Sequence, residues 1–162
     1  EIFCGGDNLY NLGSERLALY SINSSRYTLV EFPHTHLSVQ AADTLFEALD
    51  SGLIPIITHP ERNPSIVQNP KLIFEMVESG ALVQLTADSL TGGFGPAAKA
   101  CSRYLLKKKM VHFLASDGHS ATRRPPTLSA GLKAATKIVG KDAAHLLVFD
   151  NPAAVVNDEV LG

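Results

Sequence analysis

Four short segments end apolar runs on acid or imidazole side chains: Tyr27-Thr-Leu-Val-Glu-Phe-Pro33, Leu53-Ile-Pro-Ile-Ile-Thr-His-Pro-Glu-Arg62, Val111-His-Phe-Leu-Ala-Ser-Asp-Gly-His119 and Ile2-Phe-Cys-Gly-Gly-Asp7. Each is a strand-like stretch that stops at a side chain able to bind a metal. Parallel barrels set their chemistry at the carboxyl ends of strands. Carboxylates and imidazoles delivered there are the donors of a hard or borderline divalent cation. Taken singly, each residue has a plainer reading. Glu31 alone is a salt-bridge partner, and His59 alone a satisfied core histidine. Asp117 alone can close an Asx turn after its strand, although that leaves His119 without a role. Asp117 and His119 are one residue apart, so an extended segment points both the same way, able to share one metal or bridge two. Four such segments in one order favour a shared metal centre over packing.

These residues need elements to position them. Ile2–Cys4, Arg26–Phe32, Ile54–Thr58, Ala81–Leu85 and Val111–Ala115 read as strands, with Pro33 ending the second. Ser38 can cap a helix over 39–50, with Leu45, Phe46 and Leu49 as its stripe and Gly52 ending it. Asn69-Pro70 opens a helix carrying Leu72, Ile73, Met76 and Val77, and Gly80 closes it. A short helix is expected near 15–20. Thr91-Gly-Gly-Phe-Gly95 is a turn-rich loop before a helix over 96–108. Arg123-Arg-Pro-Pro126 forbids helix locally. Residues 127–139 are amphipathic, and 142–147 and 152–156 read as two short helices, the last capped by Asp150 or Asn151. Strands alternating with helices predict an α/β fold with a parallel sheet.

The bulk numbers set bounds. The chain has 162 residues, enough for one domain with a real core, and 45% of them are hydrophobic. Mean hydropathy is +0.08. A net charge of -2 gives no pointer to nucleic acid, and Lys107-Lys-Lys109 reads as the solvated end of a helix. No apolar run is long enough to insert in a membrane. Cys4 and Cys101 are unpatterned, which predicts free thiols in a cytoplasmic protein.

The phrases "LVEFP", "GLIPIITHPER", "LTADSLTGGFG" and "HFLASDGH…RRPP" resemble the bacterial protein-tyrosine phosphatases of the polymerase and histidinol phosphatase (PHP) superfamily, metal-dependent enzymes encoded with capsular and exopolysaccharide genes. The likeness runs from about Gly5 to Asn157. It implies a distorted parallel β/α barrel of the TIM-like type with divalent metals at the strand ends, manganese first and iron or zinc as alternatives. Glu31, His59, Asp117 and His119 match its metal ligands. Asp7 stands where the family has Glu after a glycine-rich strand end. Arg62 and Arg124 match phosphate-binding arginines, with Arg123 a near neighbour of the second. The implied reaction is hydrolysis of protein phosphotyrosine by metal-activated water, with a bacterial tyrosine kinase as the expected partner and a homo-oligomer left open.

The family begins with a His-x-His strand, an acidic ligand and a further histidine that have no counterpart here. A closed barrel also needs about 200–250 residues. Both features predict a single domain, residues 1–162, lacking its N-terminal strands, with unpaired edges that invite association. His34-Thr-His36 is the one His-x-His in the chain, and it reads as rim or surface. His112 is out of phase with Asp117 and is expected to face away, while His145 reads as ordinary. Neither cysteine opens a Cys-x5-Arg loop, which separates the chain from thiol-based tyrosine phosphatases. Two rival readings are another PHP hydrolase, such as a histidinol-phosphate phosphatase, and a truncated metal-binding module without turnover.

Overall fold

The computed structural model describes residues 2–3, 19–37 and 39–161, with the backbone alone at 2–3 and 39–42. Its centre is a five-stranded sheet: β1 (Ile2–Phe3), β2 (Tyr27–Glu31), β3 (Ile54–Thr58), β4 (Leu82–Thr86) and β5 (Phe113–Ala115). The strands lie side by side in chain order. Every pairing is parallel. The register aligns Glu31 with Thr58 and Thr58 with Gln84, so all strands end on one edge. The expected parallel α/β architecture is therefore what forms.

The helices are α1 (Val39–Asp50), α2 (Pro64–Gln68), α3 (Lys71–Glu78), α4 (Ala87–Thr91), α5 (Gly95–Lys107), α6 (Ser129–Val139), α7 (Lys141–His145) and α8 (Asn151–Val156). Period-2 alternation splits β2 to β5 between two apolar layers. Val30, Ile57, Val83, Leu85 and Leu114 join the main core with Leu45, Ile73, Leu105 and Leu106. Tyr27, Ile56 and Phe113 face the other way and pack with Val155. A parallel sheet covered on both faces needs such near-continuous apolar strands. The second layer is tied down by Arg26, whose guanidinium meets Asp158 at 2.9 Å. Beside it, the Tyr27 hydroxyl donates to the Glu159 carbonyl at 2.7 Å.

Several expectations need correction. Phe46 is exposed, and the buried stripe of α1 is Leu45, Ala48 and Leu49, the i, i+3, i+4 set. Residues 141–156 form one run, with a π-helical turn at Leu146–Asp150 joining α7 to α8. Pro152 has no N–H to give an α-helical carbonyl, and a wider turn there relieves the mismatch. Asp150 accordingly has helical φ and ψ and caps nothing. Its carboxylate meets His145 Nδ1 at 2.8 Å instead. The helix expected near 15–20 and the Ser38 cap lie outside the described residues, apart from the turn at Leu19 and Tyr20.

Candidate active site

The β2 and β3 ends come first. Glu31 closes β2 with its side chain 21% exposed, and its Oε1 lies 3.3 Å from Nε2 of His59. His59 follows β3 directly. Its N–H donates to the Gln84 carbonyl at 2.8 Å, extending the β3–β4 ladder by one residue. Its φ of 34° and ψ of 49° then turn the chain sharply into the Pro60–Arg62 3-10 turn. A left-handed non-glycine residue costs about 1–3 kcal/mol and is held only where its surroundings over-determine it. Here Arg62 N–H on the His59 carbonyl, at 3.0 Å, closes the turn. Burial is the main force lowering the His59 pKa and Arg62 adds to it, while Glu31 and Asp117 pull the other way. The ring is thus kept neutral, with a lone pair to offer.

His34 reaches this group from the rim, as read from the sequence, with its side chain 55% exposed. Its Nε2 is 3.3 Å from the same Glu31 oxygen. Its ring stacks on that of His59, with centroids 5.9 Å apart. The bend after Pro33 folds the loop back over the strand end. Asn63 fixes that bend: its side-chain N–H donates to the Pro33 carbonyl at 2.6 Å. Its Oδ1 caps α2 by accepting from the Ser65 and Ile66 N–H groups. One side chain therefore sets the β2 loop against the β3 loop.

Beyond β5, Asp117 also sits in the left-handed region, with φ 51°. The 117–119 segment is therefore not the extended strand the sequence suggested, since Asp tolerates this conformation better than most residues. The Asp117 side chain is 5% exposed and takes Nη1 of Arg62 at 2.7 Å. Arg124 Nη2 bonds the same Oδ2 atom and also donates to the Asp117 carbonyl at 3.0 Å. Both guanidiniums pack on Phe94, with Cζ 4.5 Å and 5.5 Å from the ring centroid. Cation–π packing of this kind holds a guanidinium's plane. Of the two neighbouring arginines, Arg124 is the one whose side chain reaches Asp117, while Arg123 is exposed; the N–H groups of both donate to Ser120 Oγ. His119 Nδ1 lies 2.9 Å from the Asp117 carbonyl and 3.5 Å from its Oδ1.

Asp7 lies outside the described residues. Among the described residues no group of three or more His, Cys, Asp or Glu closes to metal-holding geometry. The structure thus gathers the site residues in two adjoining halves, Glu31 with His59 and Asp117 with His119 and the arginines, and His59 senses the charge of both. The donors themselves fit a divalent cation in kind: carboxylates, and a buried imidazole kept neutral.

Glu61 went unnoticed in the sequence. It is wholly buried behind the turn, where its Oε1 accepts from Ser89 Oγ at 2.6 Å and from the Thr86 N–H at 3.0 Å. This gives Ser89 a role and links the turn to the end of β4 and to α4. Gln84 contributes its carbonyl to His59. His112 faces away as expected, its Nδ1 accepting from the Val83 N–H at 3.0 Å.

A parallel sheet with carboxylates, imidazoles and paired arginines gathered at its strand ends defines an α/β domain with its candidate site on the carboxyl edge of the strands. The chain belongs to the capsular polysaccharide synthesis family CpsB/CapC, which it matches over residues 1–157. It is 44% identical over 113 residues to CapC of Staphylococcus aureus, covering 70% of this chain and 44% of that protein. It is 38% identical over 129 residues to the tyrosine-protein phosphatase YwqE of Bacillus subtilis, covering 80% and 51%. It is 31% identical over 167 residues to the tyrosine-protein phosphatase CpsB of Streptococcus pneumoniae, covering 99% and 68%. The chain thus spans about half the length of CapC and YwqE. Among solved structures it superposes with a TM-score of 0.82 and 34% identity on one from a study of YwqE and CpsB, described as metal-dependent tyrosine phosphatases, covering 88% of this chain and 57% of that one.

Proposed function

We propose that this protein is a metal-dependent phosphomonoesterase that hydrolyses protein phosphotyrosine and serves capsular or exopolysaccharide synthesis. The observation that carries this reading is the pair of guanidiniums from Arg62 and Arg124, braced on Asp117 and Phe94 beside the Glu31–His59 pair at one edge of the sheet. The names of YwqE and CpsB support the reaction class.

In this reading Glu31, His59, Asp117, His119 and Asp7 would hold divalent cations, manganese first. Bound cations would supply Lewis-acid polarisation of the phosphate and a water acidified toward neutrality. The chain's own residues do the rest. Burial keeps His59 neutral and therefore a donor of its lone pair. Each guanidinium has five N–H donors in a planar fork, of which Asp117 takes only part, so Arg62 and Arg124 can grip the non-bridging phosphate oxygens and offset charge as it grows. No thiol is called for: burial pushes the Cys101 thiol up to about 12, the opposite of an activated nucleophile.

The protein substrate would be a tyrosine-phosphorylated partner, a bacterial tyrosine kinase being the first candidate, and the compartment the cytoplasm. Among the described residues no helix is long and apolar enough to cross a membrane. Arg62→Ala and Arg124→Ala in the full-length protein test the assignment. Each should lower turnover of a phosphotyrosine peptide by about 100-fold or more and weaken inhibition by inorganic phosphate, with metal content unchanged. Loss of metal with the arginine would assign it a structural role instead.

A further inference from the structure

Beside the paired arginines lies a cleft of about 380 Å³ that the reaction as described does not use. Its wall includes His34, Arg62, Pro64, Val67, Phe94 and Ala97. Arg62 stands on its phosphate side with the buried Glu61 carboxyl behind it, and Phe94, Val67, Pro64, Ala97 and Ala98 give it an apolar body. Its volume falls in the range of small-molecule sites, about 300–1,000 Å³.

Arg62 serves both the site and the cleft. Its guanidinium is bonded to Asp117 and lies 4.5 Å from the centroid of the Phe94 ring. Any phosphate gripped by Arg62 therefore has its ester substituent within reach of Phe94. An alkyl phosphate of serine or threonine carries one or two carbons beyond the ester oxygen and leaves such a cleft wet. A phenyl ring can fill it and pack on Phe94, Val67 and Pro64.

Resting on the phosphatase reading above, we propose that this cleft is the aryl subsite: it takes the phenol ring of phosphotyrosine, and Phe94 is the residue that sets the preference for aryl over alkyl phosphates. Charge and shape agree in this occupant, since the dianionic phosphate meets Arg62 and Arg124 while the flat apolar ring meets the apolar wall. The enzyme then discriminates by what lies beyond the phosphate, because the arginines alone treat all phosphomonoesters alike. Pairing of aromatic rings adds a preference of about three- to ten-fold beyond the area that is buried.

The test uses the full-length protein with added manganese and two peptides of one sequence, phosphorylated on tyrosine or on serine. Ala97 is exposed, so Ala97→Trp fills the cleft mouth without touching the core. This variant should raise KM for the phosphotyrosine peptide at least about ten-fold while inorganic phosphate inhibits as before. Phe94→Leu keeps the apolar bulk and loses the ring, and it should narrow the tyrosine-to-serine ratio of kcat/KM by about three- to ten-fold. An unchanged KM in Ala97→Trp, or an unchanged ratio in Phe94→Leu, overturns the subsite. A wild-type enzyme that hydrolyses both peptides equally overturns it too, while leaving the phosphatase reading intact. A wild-type enzyme that hydrolyses neither overturns that reading, and the subsite with it.

Discussion

Replacing Glu61 with Gln should change how stability depends on pH. Burial is the dominant force on this carboxyl, raising its pKa from 4.5 to about 7, and the bonds from Ser89 and the Thr86 N–H and the charge of Arg62 offset only part of that. Its Oε2 is buried without a partner among the described residues, as is Thr86 Oγ1. The neutral acid gains an O–H donor in this setting, whereas the anion leaves an unpaired charge. Between pH 4.5 and 7 the unfolded chain releases the proton while the folded chain keeps it. The folded state then binds more protons, so stability is full below pH 4.5 and falls as the pH rises to about 7. Each pH unit is worth 1.36 kcal/mol, which makes the total loss about 3 kcal/mol. Glu61→Gln has no proton to lose and keeps the same shape. It should be the less stable protein near pH 4.5, where its amide N–H lacks an acceptor at a cost of about 1–3 kcal/mol. It should draw level with or overtake the wild type by pH 8. Urea unfolding of both proteins in chelator, at half-unit steps from pH 4.5 to 8, measures the difference, in which all other titrating groups cancel. Parallel curves would refute the reasoning and show that Glu61 is ionised throughout.

Other perturbations have equally definite outcomes. Gly131→Ala gains about 1 kcal/mol of helix propensity, but its Cβ would stand 2.5 Å from Ala87 Cβ and 2.7 Å from the Ala87 carbonyl oxygen. Overpacking of this kind costs about 1–3 kcal/mol, so a net loss is expected in chemical denaturation, and α4 with Ser89 should shift. Asn63→Ala removes the α2 cap and the link to Pro33 together, and should lower stability by about 2 kcal/mol and raise KM as the Glu31 loop loosens. Iodoacetamide should leave Cys101 unlabelled in the folded protein, because this thiol is buried and its pKa is pushed up to about 12; rapid labelling of Cys101, read by peptide mass spectrometry, would oppose this.

The strand ends were legible because each is a short β-branched run stopped by a residue with a strong local signal: Pro33 after Glu31, and the His-Pro step after Thr58. The start of α5 fell within one residue of the expected place, since Pro96 marks a first turn whatever surrounds it. Hidden features were those that depend on a partner distant in the chain. α4 is too short for more than one apolar pair, Ala87 and Leu90, and Ser89 reaching Glu61 ties it to the turn after β3. Glu61 carries no local signal of burial, yet it is wholly buried, because the turn directs it inward against β4. His34 was legible as a rim residue, but its approach to Glu31 was not, because it depends on Asn63 holding Pro33, thirty residues away in the chain. The Asp117–His119 segment is not extended as the sequence suggested, since the left-handed φ of Asp117 goes with the hold on its carboxylate of Arg62, far away in the chain, and of Arg124, beyond a turn. Of the Glu31, His59, Asp117 and His119 set, the sequence located the strand ends; the division into two halves sharing His59 comes from the packing.

The most direct test of the metal-dependent account is release of phosphate from a phosphotyrosine peptide by the full-length protein, wild type and Glu31→Gln together, before chelation, after it, and after manganese is restored. Glu31→Gln keeps the side chain's size and removes the charge that a cation requires. The account predicts wild-type activity that disappears with chelator and returns with manganese, and a variant that stays folded yet is about 100-fold slower or worse in every condition. Phosphate release that survives chelation, or a Glu31→Gln protein as fast as the wild type, would contradict it.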